Sequence, residues 1–185
     1  AEGGSKTRAS IIYEITSEAG IEELKEYDLG YGRNMLQSDV LKKNGSIVPG
    51  EDNEEGQIVF TNLEVGDVVM IQYESTESNS GRFYKDFDEV SYLSNYYPVD
   101  ESTFTVITPK ESTYNVNINN ATIKPVVKEI EDKTYTTWAM KNIAPMPSYE
   151  SYSYSFQDRS ISVRASSIKS WKDIADWYAD LVKKV

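Results

Sequence analysis

Short runs of apolar residues, many in alternation with polar ones, recur along most of the chain and predict β-strands. Among these runs, residues 10–16, 68–75 and 104–108 are rich in valine, isoleucine, tyrosine and phenylalanine and lie between turn signals. Many short strands at close spacing are typical of an antiparallel sandwich. The predicted fold class is mainly β, an antiparallel two-sheet β-sandwich with one C-terminal α-helix.

One early segment gives mixed signals. Residues 21–29 contain Glu22-Glu23-Leu24-Lys25-Glu26, a composition compatible with a helix. The glycines that bound the segment, Gly20 and Gly30, and its short span favour a strand. We therefore predict a strand over residues 21–29.

Two local signals predict how the strands connect. Asn44-Gly45 is the dipeptide best suited to a type I′ hairpin turn, because both residues tolerate positive φ. Residues 46–48 would then form the return strand. Pro125 cannot donate a backbone hydrogen bond, so its strand is expected at a sheet edge or a bulge.

The end of the chain has helical spacing instead. Ser170 and Asp173 form a variant of the capping box and predict a helix over about residues 171–184. Trp177 lies off the centre of the apolar stripe. The stripe itself consists of Trp171, Ile174, Tyr178 and Leu181.

Composition restricts the chemistry of the chain. It has 185 residues, a formal net charge of −11, no cysteine and no histidine. Thiolate nucleophiles, disulfides, Cys/His zinc sites and Ser-His-Asp triads are therefore impossible within it. The negative charge argues against nucleic acid as a partner, and the apolar runs are too short for a membrane span. We expect a binding or accessory module, not an enzyme, with no cofactor and no metal.

Two acidic groups are candidate sites. The loop over residues 51–55 lacks the ligand spacing of an EF-hand and is expected to be a solvated loop. Asp86, Asp88 and Glu89 could form an acid/base pair of the glycosidase type, but a polar strand face is the expected structure.

Clustered aromatic residues are the better indication of function. Exposed aromatic surfaces bind sugars or peptides, although ordinary core and sheet-surface positions explain single tyrosines equally well. Residues 152, 154 and 156 would share one strand face if that segment is extended. The candidate ligand platform consists of Tyr92, Tyr96, Tyr97, Tyr152, Tyr154 and Phe156.

Two further patterns carry a family resemblance. Leu63-Glu64-Val65-Gly66-Asp67 leads into a strand, and the chain closes with Ser170-Trp171, then Trp177-Tyr178 and Leu181. From about Arg8 to Leu181 the chain resembles the bacterial β-sandwich domain of unknown function that lies immediately N-terminal to transglutaminase-like domains. The catalytic domain in that arrangement carries a Cys-His-Asp triad.

The resemblance implies a domain organisation. Residues 1–7 would be a disordered start or an expression remnant, and residues 8–166 the β-sandwich. Residues 167–185 would be a linker and docking helix that leads into a downstream domain. The helix could dock that domain or pack on its own sheet. The candidate docking residues are Trp171, Trp177, Tyr178 and Leu181.

The resemblance also implies a function. The chain would be a non-catalytic accessory domain that precedes and positions a transglutaminase-like cysteine peptidase or transferase domain. The parent protein would be secreted, periplasmic or associated with the envelope of a bacterium. Its partners would be the downstream domain in cis and a protein, peptide or glycan substrate, with no nucleic acid and no membrane span. The alternative is a stand-alone carbohydrate- or glycan-binding module.

Overall fold

Antiparallel strands dominate the structure, a computed structural model that describes residues 3–52, 57–78, 81–147 and 154–183. The chain divides into two compact units, a first unit of Glu2–Ser78 and a second unit that contains Asn79–Val185. Each unit has two sheets and a core of its own. The mainly β, antiparallel fold class with a C-terminal helix is confirmed. The single sandwich domain predicted over residues 8–166 includes parts of both units and stays a prediction.

The first unit contains a four-stranded sheet in the order β1-β7-β3-β4 and a three-stranded sheet in the order β2-β6-β5. All strand pairs within these sheets are antiparallel. Its elements are β1 (Gly4–Glu14), α1 (Glu18–Leu24), β2 (Glu26–Asp28), β3 (Arg33–Leu41), β4 (Ile47–Pro49), β5 (Glu51–Asp52), β6 (Gln57–Val59) and β7 (Val68–Ser78).

The core of the first unit takes side chains from both sheets. Val40 and Val69 lie opposite each other on β3 and β7 and are buried with Ile71. Ile58 on β6 contributes from the other sheet, and Phe60 follows it with the same inward direction.

The strand predicted over residues 21–29 is wrong for its first half, which is helix α1. Ser17 is the N-cap, and its hydroxyl accepts a hydrogen bond from the Gly20 N–H at 3.2 Å. Gly20 therefore lies inside the first helical turn and is not a strand boundary. Lys25 caps the other end and forms an ion pair with Glu22 at 2.7 Å, as spacing along a helix allows.

The Asn44-Gly45 hairpin forms, but with a different turn from the one predicted. Leu41 and Ile47 pair across it, which confirms the return strand. Gly45 has a φ of +84°, whereas Asn44 is not among the residues with positive φ. The Gly45 N–H donates to the Lys42 carbonyl at 2.8 Å, as in a type I turn followed by a left-handed residue.

A buried carboxylate fastens the loop that leads into β7. Asp67 is fully buried, and its Oδ2 accepts hydrogen bonds from Lys42 Nζ at 2.5 Å and the Glu64 N–H at 2.7 Å. Lys42 also donates to the carbonyl of Asn62, a left-handed residue with a φ of +54°. Asp67 and Lys42 therefore hold this loop to the β3–β4 hairpin. We term this pair of residues the Asp67 clamp.

The clamp predicts acid sensitivity. Burial opposes ionisation of Asp67, but the hydrogen bond and charge of Lys42 outweigh it and hold the pKa of the carboxyl below its usual value. Stability from this shift is present above the unfolded-state pKa of about 4 and is lost as pH falls through the folded-state pKa. In urea unfolding, the stability advantage of the wild type over Asp67→Asn should therefore shrink below pH ~4. Two parallel curves of stability against pH would contradict this assignment.

The second unit contains sheets in the orders β10-β13-β8 and β11-β12-β9. It also contains a 3₁₀ turn over Gly81–Phe83. Its other elements are β8 (Asp88–Tyr92), β9 (Val99–Pro109), β10 (Asn115–Asn119), β11 (Val126–Ile130), β12 (Lys133–Ile143), α2 (Phe156–Arg159), β13 (Ser162–Ser166) and α3 (Trp171–Val182).

The core of the second unit is built around Trp138 on β12. This side chain is 2% exposed and stacks on Phe104 of β9, with ring centroids 6.0 Å apart. Val163 and Ala165 of β13 bring the other sheet into the same core. Pro125 immediately precedes the edge strand β11, so the prediction of an edge is confirmed.

Candidate functional site

Helix α3 begins at the predicted residue because its cap is complete. The Ser170 hydroxyl accepts a hydrogen bond from the Asp173 N–H at 3.3 Å and donates to the Asp173 carboxylate at 2.9 Å. The same carboxylate lies in the first turn, where negative charge favours the helix dipole. The predicted helix over about residues 171–184 is confirmed as Trp171–Val182.

One side of α3 is anchored within the second unit. The Trp177 ring meets Phe83 of the 3₁₀ turn edge-on, with centroids 5.7 Å apart and planes at 72°. Arg82 lies 3.9 Å from Asp180 on the following helical turn. Trp177 and Ile174 are half-buried, so this side of the helix is packed.

The adjoining side of α3 is apolar and exposed. Positions seven and eleven residues after Trp171 fall on nearly the same side of an α-helix. These are Tyr178 and Val182, and Leu181 lies beside them on the same turn. The exposed fractions are 81% for Trp171, 65% for Tyr178, 46% for Leu181 and 58% for Val182. We term these four residues the α3 stripe.

The structure divides the predicted docking residues into two groups. Trp171, Tyr178 and Leu181 are exposed, whereas Trp177 packs on Phe83. The sequence pattern places Trp177 off the centre of the apolar stripe, whereas in the structure Trp177 is half-buried together with Ile174 of that stripe. Val182 was not among the predicted residues, although its spacing from Trp171 and Tyr178 was visible in the sequence.

Three of the six platform residues come together. Phe156 lies between Tyr92 and Tyr96, with ring centroids 5.3 Å and 5.5 Å away and planes tilted by 57° and 47°. Rings at these angles pack on one another and do not present a flat surface. Tyr97 and Tyr154 are 43% and 79% exposed. Tyr152 lies outside the described residues.

The extended segment predicted around Phe156 is wrong in the part that the structure describes. Ser155 is an N-cap whose hydroxyl accepts from the Asp158 N–H at 3.2 Å, and α2 starts at Phe156. Phe156 therefore reaches Tyr92 from a helix and not from a strand. The sequence contains this cap signal between Tyr154 and Arg159, a serine followed three residues later by an aspartate, and the signal indicates a helix start instead of a strand.

The candidate acid/base carboxylates have structural partners. Asp86 accepts a hydrogen bond from the Ser167 hydroxyl at 2.8 Å. Asp88 binds the Arg164 guanidinium through both oxygens, and the Nε contact is 2.8 Å. Hydrogen bonding from Arg164 lowers the pKa of Asp88, which keeps it ionised. Within the described ranges, no cluster of three acidic residues could hold a metal ion.

An open groove lies where the two sheets of the second unit separate. Its volume is about 600 Å³, and its wall includes inward-facing residues of β10 and β12 and the connection that leads to β11. Trp138 and Thr136 come from β12, and both are buried. The remaining lining residues are Tyr114, Val116, Ile118, Ala121, Thr122, Ile123 and Pro125. Sequence patterns did not indicate this groove.

The helices in the described part of the chain include none long and apolar enough to cross a membrane. The predicted location in a bacterial envelope or outside the cell stays a prediction.

Comparison with known proteins identifies a matching family and a solved structure of similar fold. The model of the family described as a domain of unknown function, DUF3857, matches residues 49–147. A crystal structure of a Parabacteroides distasonis protein described as a "putative protease" superposes with a TM-score of 0.73 at 20% identity. The match covers 92% of the present chain and 38% of that protein, so the chain spans well under half of its length. No curated protein matches the sequence.

Proposed function

Because the chain belongs to the DUF3857 family, and similar architecture occurs within a longer protein, we propose an accessory role for it. The chain is a non-catalytic domain that precedes and positions a transglutaminase-like cysteine peptidase or transferase domain. The parent is a secreted or envelope-associated bacterial protein. In this proposal, helix α3 docks the downstream catalytic domain through the α3 stripe.

The observation that carries the proposal is the division of α3 into an anchored side and an exposed apolar side. Trp177 on Phe83 fixes the position of the helix, while Trp171 and Tyr178 offer two large rings to a partner. Tryptophan and tyrosine dominate the binding energy of protein interfaces because each buries a large area. A helix held on one side is therefore well suited to fix the position of a second domain.

The length of the relative supports a partner in cis. The aligned region is 38% of the P. distasonis protein. The similar domain is therefore one part of a longer chain, which is described as a "putative protease". The present chain has neither cysteine nor histidine, and a cysteine-based nucleophile would have to lie in another part of the parent. Both facts support the accessory role.

The proposal is tested first on the parent gene and then in solution. We expect the reading frame after Val185 to encode a segment with the cysteine, histidine and aspartate of a transglutaminase-like domain. Purified separately, that segment should bind the present chain, and isothermal titration calorimetry should show the complex. Trp171→Ala and Tyr178→Ala should each weaken binding at least tenfold, about 1.4 kcal/mol, as expected of aromatic hot spots.

Tyr31 provides the matched control, since it is a fully exposed aromatic residue in the first unit. Tyr31→Ala should leave the affinity unchanged. A stop codon or an unrelated β-rich module after Val185 would overturn the accessory role. Equal losses from Tyr31→Ala and Tyr178→Ala would overturn docking through the α3 stripe.

A further inference from the structure

Among the residues that the structure describes, the outer edge of β11 in the β11-β12-β9 sheet pairs with no strand, and apolar side chains lie along it. All five residues of the edge strand β11 are exposed. Val126, Val127 and Ile130 are exposed by 59%, 57% and 51%. Edge strands present unpaired N–H and C=O groups that can pair with another strand, and proteins normally cover or charge such edges. Val126, Val127 and Ile130 are apolar, whereas Lys128 and Glu129 are charged, so the β11 edge is suited only to an added strand that complements these charges.

The antiparallel register separates the side chains of β11 into two faces. Val127 lies opposite Thr136, which lines the groove, so Val127 is on the core-facing side. Alternate residues of a strand share a face, which puts the neighbours of Val127 on the outer side. The outer-face residues are Val126, Lys128 and Ile130. An added strand would thus meet two apolar residues with a cation between them on its outer face.

The groove opens at the start of the same edge. Pro125 is part of its wall, and Val126 is the first residue of β11. A strand that pairs with β11 and continues past Val126 passes this opening. Every second side chain of that strand would face inward, toward a groove of about 600 Å³ with the buried Trp138 in its wall. Apolar inward side chains fit this lining, except beside Glu129, the other inward residue of β11, whose carboxylate pairs with Lys110 at 3.0 Å.

Lys128, at the centre of β11, disfavours a second copy of the chain as the occupant. If two β11 strands paired antiparallel over all five residues, Lys128 would lie opposite its own equivalent. Like charges directly opposite each other in a sheet are destabilising, whereas opposite charges stabilise the pair. The edge is therefore complementary to a different strand that carries one acidic residue at this position.

We propose that the β11 edge binds an extended segment of a partner protein by β-strand addition. The segment carries a glutamate or aspartate opposite Lys128, apolar or β-branched residues beside Val126 and Ile130, and apolar side chains toward the groove. Backbone pairing supplies affinity, and the alternate side chains supply specificity. The site does not depend on helix α3 or on the identity of a downstream domain.

Calorimetric titration of the full chain tests the proposal with synthetic peptides. One probe alternates valine and threonine around a central glutamate, and the second has lysine in place of the glutamate. The wild type should prefer the glutamate peptide, and Lys128→Glu should reverse the preference, with a change of about tenfold in each direction. Lys169→Glu makes the same change in charge at an exposed residue outside the sheets and should retain the wild-type preference.

Backbone pairing has its own control. Two versions of the glutamate peptide carry N-methyl groups on alternate residues, one version for each alternating set. N-methylation removes N–H donors that strand addition needs, so the version methylated on the residues whose N–H groups face β11 should bind at least about tenfold more weakly. Failure of both peptides to bind would overturn the proposal, as would an unchanged preference in Lys128→Glu. A dimer of the wild type that the peptide dissociates would assign the edge to a second copy and would also overturn it.

Discussion

Replacing Asp67 with alanine is expected to lower the free energy of unfolding of the first unit by about 3 kcal/mol. The change leaves Lys42 without its closest partner, although its side chain is only 16% exposed. It also removes the acceptor of the Glu64 N–H. The expected loss is at the low end for a broken buried ion pair, because the Glu64 carboxylate lies 3.8 Å from Lys42 and remains available.

Hydrogen exchange measured on peptides from residues 3–78 gives this free energy for the first unit alone. Glu74→Ala is the matched control, because Glu74, on β7, is also a carboxylate with cationic partners, Lys6 at 3.0 Å and Arg8 at 3.4 Å. Those partners are well exposed, and pairs of this kind contribute little. A loss in Asp67→Ala no larger than that in Glu74→Ala would show that the clamp does not hold the loop.

The second large effect is expected at Trp138, where alanine should destabilise the second unit by about 3–5 kcal/mol. The side chain is 2% exposed and stacks on Phe104, so the substitution removes a large apolar contact and leaves a cavity beside the groove. Denaturant unfolding followed by circular dichroism should show the loss as a lower midpoint with a similar slope.

Trp171→Ala makes the same chemical change at a side chain that is 81% exposed. Folding buries little of the Trp171 side chain, so removing it loses little apolar burial. The effect of Trp171→Ala on the stability of the isolated chain should therefore stay within about 0.5 kcal/mol. Comparable losses from Trp138→Ala and Trp171→Ala would contradict the difference in burial between the two tryptophans. The Trp171 variant would in that case be unsuitable for the docking test.

Helix α3 shows what the sequence could predict and where prediction ended. Its start follows from local chemistry, since Ser170 and the Asp173 amide lie within one turn of each other. Which side of the helix packs depends on Phe83, a residue distant in sequence. The apolar sector is wide enough for either Trp171 or Trp177 to be the buried one, so periodicity alone could not decide between them.

The wrong predictions have a common physical cause. The sequence pattern makes Gly20 the boundary of a strand and Phe156 part of one, but Ser17 and Ser155 cap short helices at those places. Serine at an N-cap stabilises a helix by satisfying a backbone N–H of its first turn, a local signal that the alternation of apolar and polar residues does not contain. The hairpin at Gly45 was correctly located for a related reason, because glycine there adopts positive φ in either turn type.

The sequence could not predict the groove or the occupant-facing side of the β11 edge, for a different reason. Residues of β10 and β12 line the groove together, and only the sheet order shows that they approach each other. Pro125 indicated an edge, but not that Lys128 would be its central outward charge. Asp67 was visible within the Leu63–Asp67 pattern, and the structure adds that its role is the clamp.

The division of the chain into two units has a consequence for optical measurements. The chain has three tryptophans, Trp138, Trp171 and Trp177, and all belong to the second unit. Intrinsic tryptophan emission will therefore report on Asn79–Val185 and will not register unfolding confined to the first unit. Phe60→Trp, in the first core, would supply the missing reporter. With it, one emission spectrum could follow both cores during a single denaturation.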